Sequence, residues 1–264
     1  MAINSISFNQ PIFVQIIFTY LLCRNNLRKK FILYKMSLIL NIDTATEHAS
    51  VCLSNDGILL ALEESIDQKN HASFIQPAIK KIFSSLNLSL NDIVAISVTN
   101  GPGSYTGLRV GLASAKGLCF ALNKPLIVVN TLEVMAIAAI DEIKKTKKET
   151  SNILFCPMID ARRMEVFTAL FDDSLQTIMP SSAIIIDEHL FTAQLSKQTI
   201  IFSGNGSEKC RNIIKHPNAY YSSIQYNSSY MIKFSEEKLA SQQFADLAYS
   251  EPFYLKEFYT PQKK

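Results

Sequence analysis

The sequence lacks the paired cysteines and histidines that mark disulfide frameworks and many metal sites. Its five cysteines form no C-x-x-C pair, and its four histidines show neither H-x-x-x-H nor H-E-x-x-H spacing. These absences argue against a thiolate zinc site and against two histidine ligands on one helical face. We therefore predict a chain that binds no metal itself, with reduced cysteines in the core of a cytoplasmic protein.

The sequence also lacks a hydrophobic run long enough to span a bilayer. The apolar run Pro11 to Cys23 is shorter than the ~20 residues of a membrane-spanning helix. The basic residues follow this run, whereas a secretory signal carries them before its apolar core. Because the pattern restarts at Met36, we interpret residues 1–35 as an upstream-extended start. A membrane-associating leader is the alternative.

Excess positive charge is absent from the body of the protein. The formal net charge is +3, but residues 1–35 contribute five basic and no acidic residues, so the remaining 229 residues carry −2. An autonomous nucleic-acid-binding domain usually has a strong positive excess. The balance disfavours a stand-alone nucleic-acid-binding module and leaves room for a local basic patch.

What is present from Met36 onward is a repeated order of strands and helices. The first copy is predicted to have strands at Ser37–Asp43, Ala49–Ser54, Ile58–Glu64, Ile93–Val98 and Leu126–Val129, and helices at Ser73–Leu86, Thr106–Leu122 and Leu132–Lys144. After the polar stretch 144–152, the second copy has strands at Ile153–Asp160, Glu165–Phe171, Ala183–Ile186 and Thr199–Ser203, and helices at Glu188–Leu195, Glu208–Ile214 and Ser235–Tyr249.

An aspartate ends the first strand of each copy, at Asp43 and Asp160. The duplication predicts two similar α/β lobes, residues 36–144 and 145–264, facing across a cleft. This plan resembles the actin, hexokinase and Hsp70-like (ASKHA) superfamily.

The turns after these two aspartates lack the glycine that lets a backbone approach phosphate closely. Ala45 and Glu47 occupy the first turn, and the second turn has no glycine at all. Nucleotide hydrolysis by this chain is therefore disfavoured. A degenerate anion site is predicted at Asp43, Thr44, Thr46 and Arg162, with a solvated hairpin as the alternative for the arginine.

A glycine turn joins the strand Ile93–Val98 to the next helix. It contains Gly101, Pro102, Gly103, Ser104 and Thr106, and a helix start of this kind can be an anion cradle or a tight structural corner. Ser104 lacks the G-x-S-x-G context of a nucleophile elbow, which argues against a serine hydrolase.

The helix after this turn has a stripe of small residues, Gly107, Gly111 and Ala115. Because glycine inside a helix costs roughly 1 kcal/mol relative to alanine, the stripe predicts close approach of a partner helix. We expect Gly111→Leu to abolish that contact without unfolding the monomer. The alternative is that the helix packs only on its own sheet and on the helix Ser73–Leu86.

His71, just ahead of the helix Ser73–Leu86, is predicted to be a capping or interface residue. The predicted interface comprises His71, Phe74, Ile75, Ala78, Gly107, Leu108, Gly111, Leu112, Ser114, Ala115 and Leu118.

Four segments together resemble the TsaB (YeaZ) family: Ile42–Ala45, the block Gly101–Gly111, Ile159–Arg162 and the tail Glu251–Leu255. The resemblance implies a non-catalytic scaffold that pairs with its paralogue TsaD for threonylcarbamoyl transfer to a tRNA adenosine next to the anticodon. It also implies the ATPase TsaE as a further partner and a functional link to the synthase TsaC. ATP and metal are then expected on the partner subunits, with no cofactor on this chain, no membrane contact, and self-association through the same face.

Two enzyme classes remain as alternatives to the scaffold: an M22-type peptidase and a small-molecule kinase of the ASKHA superfamily. Either would require a metal pair or a glycine-containing phosphate turn, and the sequence has neither at the expected positions.

Overall fold

The computed structural model describes residues 37–66, 70–146 and 150–256. The chain divides into two units, residues 1–35 and residues 36–264. The predictions made for residues 1–35 concern a segment outside the described residues. Within the described ranges, no helix has the length and apolar character needed to cross a bilayer.

The first sheet has five strands in the order β3-β2-β1-β4-β5. They are β1 (Leu38–Asp43), β2 (Ala49–Asn55), β3 (Ile58–Ser65), β4 (Ala95–Gly101) and β5 (Leu126–Asn130). The β1-β2 and β2-β3 pairs are antiparallel, and the β1-β4 and β4-β5 pairs are parallel. The sheet therefore combines a hairpin meander with two crossover connections, and crossovers require helices.

The second sheet repeats this plan in the order β8-β7-β6-β9-β10. Its strands are β6 (Ile153–Asp160), β7 (Glu165–Phe171), β8 (Thr177–Ile185), β9 (Thr199–Ser203) and β10 (Ala219–Tyr221). The antiparallel and parallel pairs occur at the same places as in the first sheet. The predicted duplication of an ASKHA-like lobe is thus confirmed.

Helices cover both faces of the first sheet. Helices α1 (His71–Leu86) and α2 (Tyr105–Leu122) bury their apolar sides on one face. Helix α3 (Thr131–Thr146) lies between the two sheets, because Val134 packs on the first sheet while Ala136 and Ile140 pack on the second. A helix that is apolar on most sides is expected at such a buried position.

The second lobe has shorter helices than predicted. Helix α4 covers only Thr192–Leu195, and α5 covers Ser207–Arg211. Before α4, the Asp187 carboxylate accepts the His189 backbone N–H at 2.9 Å, and such local bonds compete with helix formation. Strand β10 was missed by the sequence analysis, and β8 begins six residues earlier than predicted.

The last helix, α6, differs from its prediction in both extent and place. It spans Ile232–Ala240 rather than Ser235–Tyr249, and its Phe234 packs on the first sheet beside Ile39 and Ile127. Helix α6 therefore packs on the first lobe, although the predicted bounds 145–264 assign it to the second. Beyond α6, the Asp246 side chain accepts the N–H groups of residues 248 and 249 and holds a turn.

Candidate functional site

The turn after β1 packs against the glycine block that opens α2. The Thr44 hydroxyl donates to the Gly107 carbonyl at 2.8 Å, and the Ser104 N–H donates to the Ala45 carbonyl at 2.7 Å. Ser104 also caps α2, because its hydroxyl accepts the Gly107 N–H at 3.3 Å. The residues that a phosphate-binding turn would offer to a ligand are here bonded to the protein itself.

The glycines of the block permit this close contact. A Cβ at Gly103 would overlap the Ala45 carbonyl, and a Cβ at Gly107 would overlap the Thr44 carbonyl. Gly101 has φ +123° and lies against the Phe253 carbonyl, so two separate constraints favour glycine there. Pro102 follows through a cis peptide bond. The block is built as a structural corner rather than as an open anion cradle.

The predicted partner-facing stripe of α2 points into the molecule. A Cβ at Gly111 would overlap the Thr44 hydroxyl and contact Val98, and Ala115 is fully buried. The interpretation of Gly107, Gly111 and Ala115 as a partner surface is therefore wrong, because α2 needs these small residues to approach its own turn. Gly111→Leu is expected to disturb the fold rather than an interface.

Most other predicted interface residues are also inside the first lobe. Only Phe74, Ser114 and Leu118 keep partial exposure. Thr106, assigned to the corner, is exposed in the first turn of α2. The buried residues, which cannot contact a partner as the fold stands, are His71, Ile75, Ala78, Leu108 and Leu112.

His71 has a different role from either prediction. It is the first residue of α1, is buried, and its Nε2 lies 2.8 Å from the Thr46 carbonyl. Its Nδ1 is buried without a hydrogen-bond partner among the described residues. The imidazole thus ties the start of α1 to the turn after β1, so it neither caps the helix nor faces outward.

The carboxyl group of Asp43 is bonded and buried in the same turn. Its Oδ1 accepts the Thr99 hydroxyl at 2.5 Å and the Ala45 N–H at 3.1 Å. Burial raises the pKa of this carboxyl, and the hydrogen bonds from Thr99 and Ala45 partly oppose the rise. Burial likewise holds the pKa of Tyr226 well above 10, so its hydroxyl stays protonated 3.2 Å from the Thr46 hydroxyl.

A pocket lies in the cleft between the lobes, and hydrogen bonds cross this cleft. The volume of the pocket is ≈ 160 Å³, and its lining includes Thr46, Glu47, Ser207 and Glu208. Asn205 of the second lobe donates to the Glu47 carboxylate at 2.5 Å. Two acidic side chains and a hydrogen bond across the cleft disfavour a bound phosphate.

The predicted anion-site residues do not form one site. Asp43, Thr44 and Thr46 lie together, whereas Arg162 belongs to the second turn and has an exposed side chain. Its backbone N–H donates to the Asp160 carboxylate at 2.6 Å, and Lys209 donates to the same oxygen at 2.5 Å. The carboxylate of the second turn is thus neutralised internally. Among the described residues, no cluster of three or more histidine, cysteine or acidic side chains could hold a metal ion.

The contact of the C-terminal tail with the glycine block was not predicted from the sequence. The Phe253 N–H donates to the Asn100 carbonyl at 2.6 Å. The Tyr254 ring stacks on Tyr105 with centroids 5.1 Å apart, and the Arg109 Nε donates to the Tyr254 hydroxyl at 3.0 Å. The Glu251–Leu255 motif, used above only as a family resemblance, was the signal in the sequence for this contact.

Comparisons with known proteins agree with this architecture. The model of the TsaD family, described as tRNA N6-adenosine threonylcarbamoyltransferase, matches residues 64–258. The chain is 27% identical to the tRNA threonylcarbamoyladenosine biosynthesis protein TsaB of Bacillus subtilis over 67% of this chain and 75% of the relative. It is 40% identical to the protein of the same name from Escherichia coli, over 50% of this chain and 53% of the relative. The match thus spans about half the length of that relative.

Two solved structures share the fold. YeaZ from Pseudomonas aeruginosa superposes with a TM-score of 0.69 at 23% identity, covering 83% of this chain and 100% of that chain. A protein described as similar to peptidase YEAZ, from the same organism, gives a TM-score of 0.71 at 22% identity over 84% of this chain and 100% of that chain.

Proposed function

The chain belongs to the TsaB (YeaZ) group of the TsaD family, and we propose that it is a non-catalytic subunit in the biosynthesis of threonylcarbamoyladenosine in tRNA. In this role it pairs with a catalytic TsaD paralogue, which carries out threonylcarbamoyl transfer to the adenosine next to the anticodon. The names of the relatives support the pathway, and the geometry of the first turn supports the lack of catalysis.

The observation that carries this proposal is the internal bonding of the first turn. In a phosphate-binding turn of this superfamily, glycines and hydroxyls must remain free to contact the ligand. Here the Thr44 hydroxyl is bonded to Gly107, and the Asp43 carboxyl is buried and bonded to Thr99. A substrate could reach these groups only if α2 moved away from its own sheet.

A different face of α2 suits a partner. Ala113, Gly117 and Ala121 are exposed and recur every four residues, and a Cβ at Gly117 would contact nothing. Phe120, on the same side of the helix, is 81% exposed. Small residues beside an exposed aromatic side chain provide a flat surface with an apolar anchor, which is typical of a helix-to-helix contact.

We define this outer face by Ala113, Gly117, Phe120 and Ala121, and the proposed interface also includes the half-buried Phe74 of α1 and Leu118 of α2. In the proposed complex it contacts TsaD, and in the absence of TsaD it contacts a second copy of this chain. The ATPase TsaE, the synthase TsaC, ATP and the metal then belong to the rest of the pathway, and tRNA is bound by the assembled complex.

Reconstitution tests the function. The chain alone is expected to show no ATPase, peptidase or transferase activity. TsaD, TsaE and TsaC without this chain should not complete the modification of tRNA, and addition of the chain should restore it. Peptide hydrolysis or small-molecule phosphorylation by the isolated chain would instead favour the peptidase or kinase alternative.

The interface is tested by Gly117→Leu. Leucine adds bulk on the outer face, and its helix propensity exceeds that of glycine by roughly 0.8 kcal/mol, so the monomer should be at least as stable as the wild type. We expect at least a tenfold loss of affinity for TsaD, roughly the effect of 1.4 kcal/mol, measured by titration calorimetry.

The matched control is Glu237→Leu, which places a leucine on an exposed position of α6. This variant should bind TsaD with wild-type affinity. Equal binding by the Gly117→Leu variant, with its monomer folded, would remove the outer face of α2 from the proposed interface.

A further inference from the structure

We propose that the hairpin between β6 and β7 binds RNA phosphate and that, in the assembled complex, Arg162 and Arg163 contact the tRNA backbone. This inference rests on the proposed function for the identity of the RNA.

The hairpin between β6 and β7 has an unusual backbone conformation. Arg162 and Arg163 are consecutive and both have positive φ, at 69° and 51°. A residue other than glycine rarely adopts this region, because its Cβ approaches the following carbonyl oxygen too closely.

Several contacts hold the hairpin in this strained conformation. The Lys209 ammonium donates to Asp160 at 2.5 Å, to the Arg163 carbonyl at 2.6 Å and to the Glu165 carbonyl at 3.3 Å. The Lys209 side chain is only 20% exposed, so these bonds are partly shielded from water. The Asp160 N–H also donates to Asn205 at 2.9 Å. Strain that is held by this many contacts is typical of functional sites.

Among the described residues, the charges around the hairpin leave the two arginines without an ionic partner. Lys209 neutralises Asp160, and Lys256 of the C-terminal tail forms an ion pair with Glu165. Both arginines are exposed, and neither guanidinium forms an ion pair with any residue in the described ranges. The two acidic side chains beside the hairpin are thus paired with lysines. The positive charges of Arg162 and Arg163 therefore remain available to a ligand.

A phosphate backbone is the ligand that this arrangement fits best. A guanidinium binds phosphate oxygens through two parallel hydrogen bonds and is weakly hydrated, so it loses little on binding. A protein partner would need an apolar core to its interface. The exposed large apolar side chains here are Met164 at the tip and Ile185 opposite Glu165 on β8, which is few against the roughly 20 residues a side of a stable interface. Contacts of this kind position RNA without reading its sequence.

The test uses the wild-type chain and an Arg162→Ala, Arg163→Ala double variant, each assembled with TsaD. Binding of unmodified tRNA is measured by fluorescence anisotropy between 50 and 200 mM salt. We expect roughly tenfold weaker binding for the double variant and a salt slope smaller by about 1.5, because each phosphate contact contributes about 0.7–0.9 to the slope.

Two control variants make the result specific. Lys197→Ala with Lys215→Ala removes two exposed charges from other turns of the same lobe and should leave tRNA affinity within about twofold of wild type. Arg162→Lys with Arg163→Lys keeps the charge but loses the planar donor pairs. It should retain the salt slope and bind with intermediate affinity.

The outcomes separate this inference from the proposed function. In one outcome, the wild-type chain pairs with TsaD and supports modification, but the alanine double variant binds tRNA as tightly as the wild type does. The proposed function then stands, and the hairpin does not contact RNA. Weaker pairing with TsaD at unchanged tRNA affinity would assign the hairpin to a protein contact and overturn the inference. If the wild-type chain neither pairs nor supports modification, the function fails, and the inference fails with it.

Discussion

Asp43 is a buried acid in the position where the ATPases of this superfamily begin their first phosphate turn. In this chain it bonds to Thr99 and Ala45 rather than to a ligand. Because burial raises its pKa above the ordinary value of 3.8, the folded state holds its proton more tightly than the unfolded state does. Above pH 3.8, ionisation of this group therefore lowers the free energy of unfolding, and the loss grows until the pH exceeds the raised pKa.

An Asp43→Asn variant tests this sign. The asparagine oxygen can accept the same two hydrogen bonds without carrying a charge, so the variant should gain stability over the wild type as the pH rises above 3.8. The gain should disappear at lower pH, where Asp43 is protonated in both states. Urea unfolding followed by circular dichroism from pH 3.5 to pH 7.5 measures the difference. A constant difference across this range would show that the Asp43 carboxyl does not titrate as proposed.

The four described cysteines are unreactive for a similar reason. Cys52, Cys119, Cys156 and Cys210 are buried and free, and burial raises the pKa of Cys52, Cys119 and Cys210 to about 12. A thiol with such a pKa is almost entirely protonated at neutral pH, so it is a poor nucleophile. These residues contribute packing, as the absence of paired cysteines led us to expect.

At the scale of elements, helix α2 contains two stripes of small residues that face different surroundings. The inner stripe, Gly107, Gly111 and Ala115, lets the helix approach the turn after β1, whereas Gly117 belongs to the outer face. The same i, i+4 spacing in the sequence thus serves internal packing on one side and remains available to a partner on the other.

Single alanine substitutions at two glycines of α2 should therefore have opposite effects. Gly111→Ala places a methyl group on the Thr44 hydroxyl and should lower the free energy of unfolding by about 1–3 kcal/mol, the usual cost of overpacking. Gly117→Ala meets no neighbouring atom and should raise it by about 0.5–1 kcal/mol, because alanine has the higher helix propensity. Parallel urea titrations give both values. Stabilisation by both variants would contradict the assignment of the inner stripe.

At the scale of the whole molecule, helix α6, from near the end of the described residues, completes the first lobe. Ser235 on α6 is fully buried. Its hydroxyl lies 2.6 Å from the Asn41 oxygen and 2.8 Å from the Ser97 hydroxyl, on β1 and β4. Burial of polar groups is tolerated because they satisfy one another. Since strands from early in the chain and a helix from near its end share this network, we expect the described residues to unfold in one cooperative transition.

Ser235→Ala measures the strength of this connection. Removal of the hydroxyl leaves the buried Asn41 oxygen without this partner, which should cost about 1–3 kcal/mol and lower Tm by several degrees. Ser241→Ala is the matched control, because the Ser235 and Ser241 hydroxyls both lie within hydrogen-bond distance of the carbonyl four residues earlier, but Ser241 is exposed. The control should change stability by less than about 0.5 kcal/mol. Equal effects of the two variants would mean that the buried network adds nothing.

Local patterns in the sequence were sufficient for most of the elements and for their duplication. Apolar periodicity located β6, β7 and β9 at their observed bounds and placed α2 to within one residue, because period and polarity act over a few neighbouring residues. The missing glycine of the first phosphate turn was likewise visible. The chain by itself therefore determined a duplicated α/β fold with a degraded phosphate turn.

The direction in which each surface faces was decided only by the tertiary structure. Small residues at i, i+4 look alike whether a helix packs on its own sheet or on a partner, and the distinction depends on Thr44, which lies 63 residues before Gly107 along the chain. The return of α6 to the first sheet and the pairing of Lys209 with Asp160, 49 residues away, are also long-range contacts. Such contacts depend on how the whole chain packs rather than on local preference. Only the folded molecule therefore shows which stripe of α2 packs inside, which face of α2 is exposed, and that Lys209 holds the arginine hairpin.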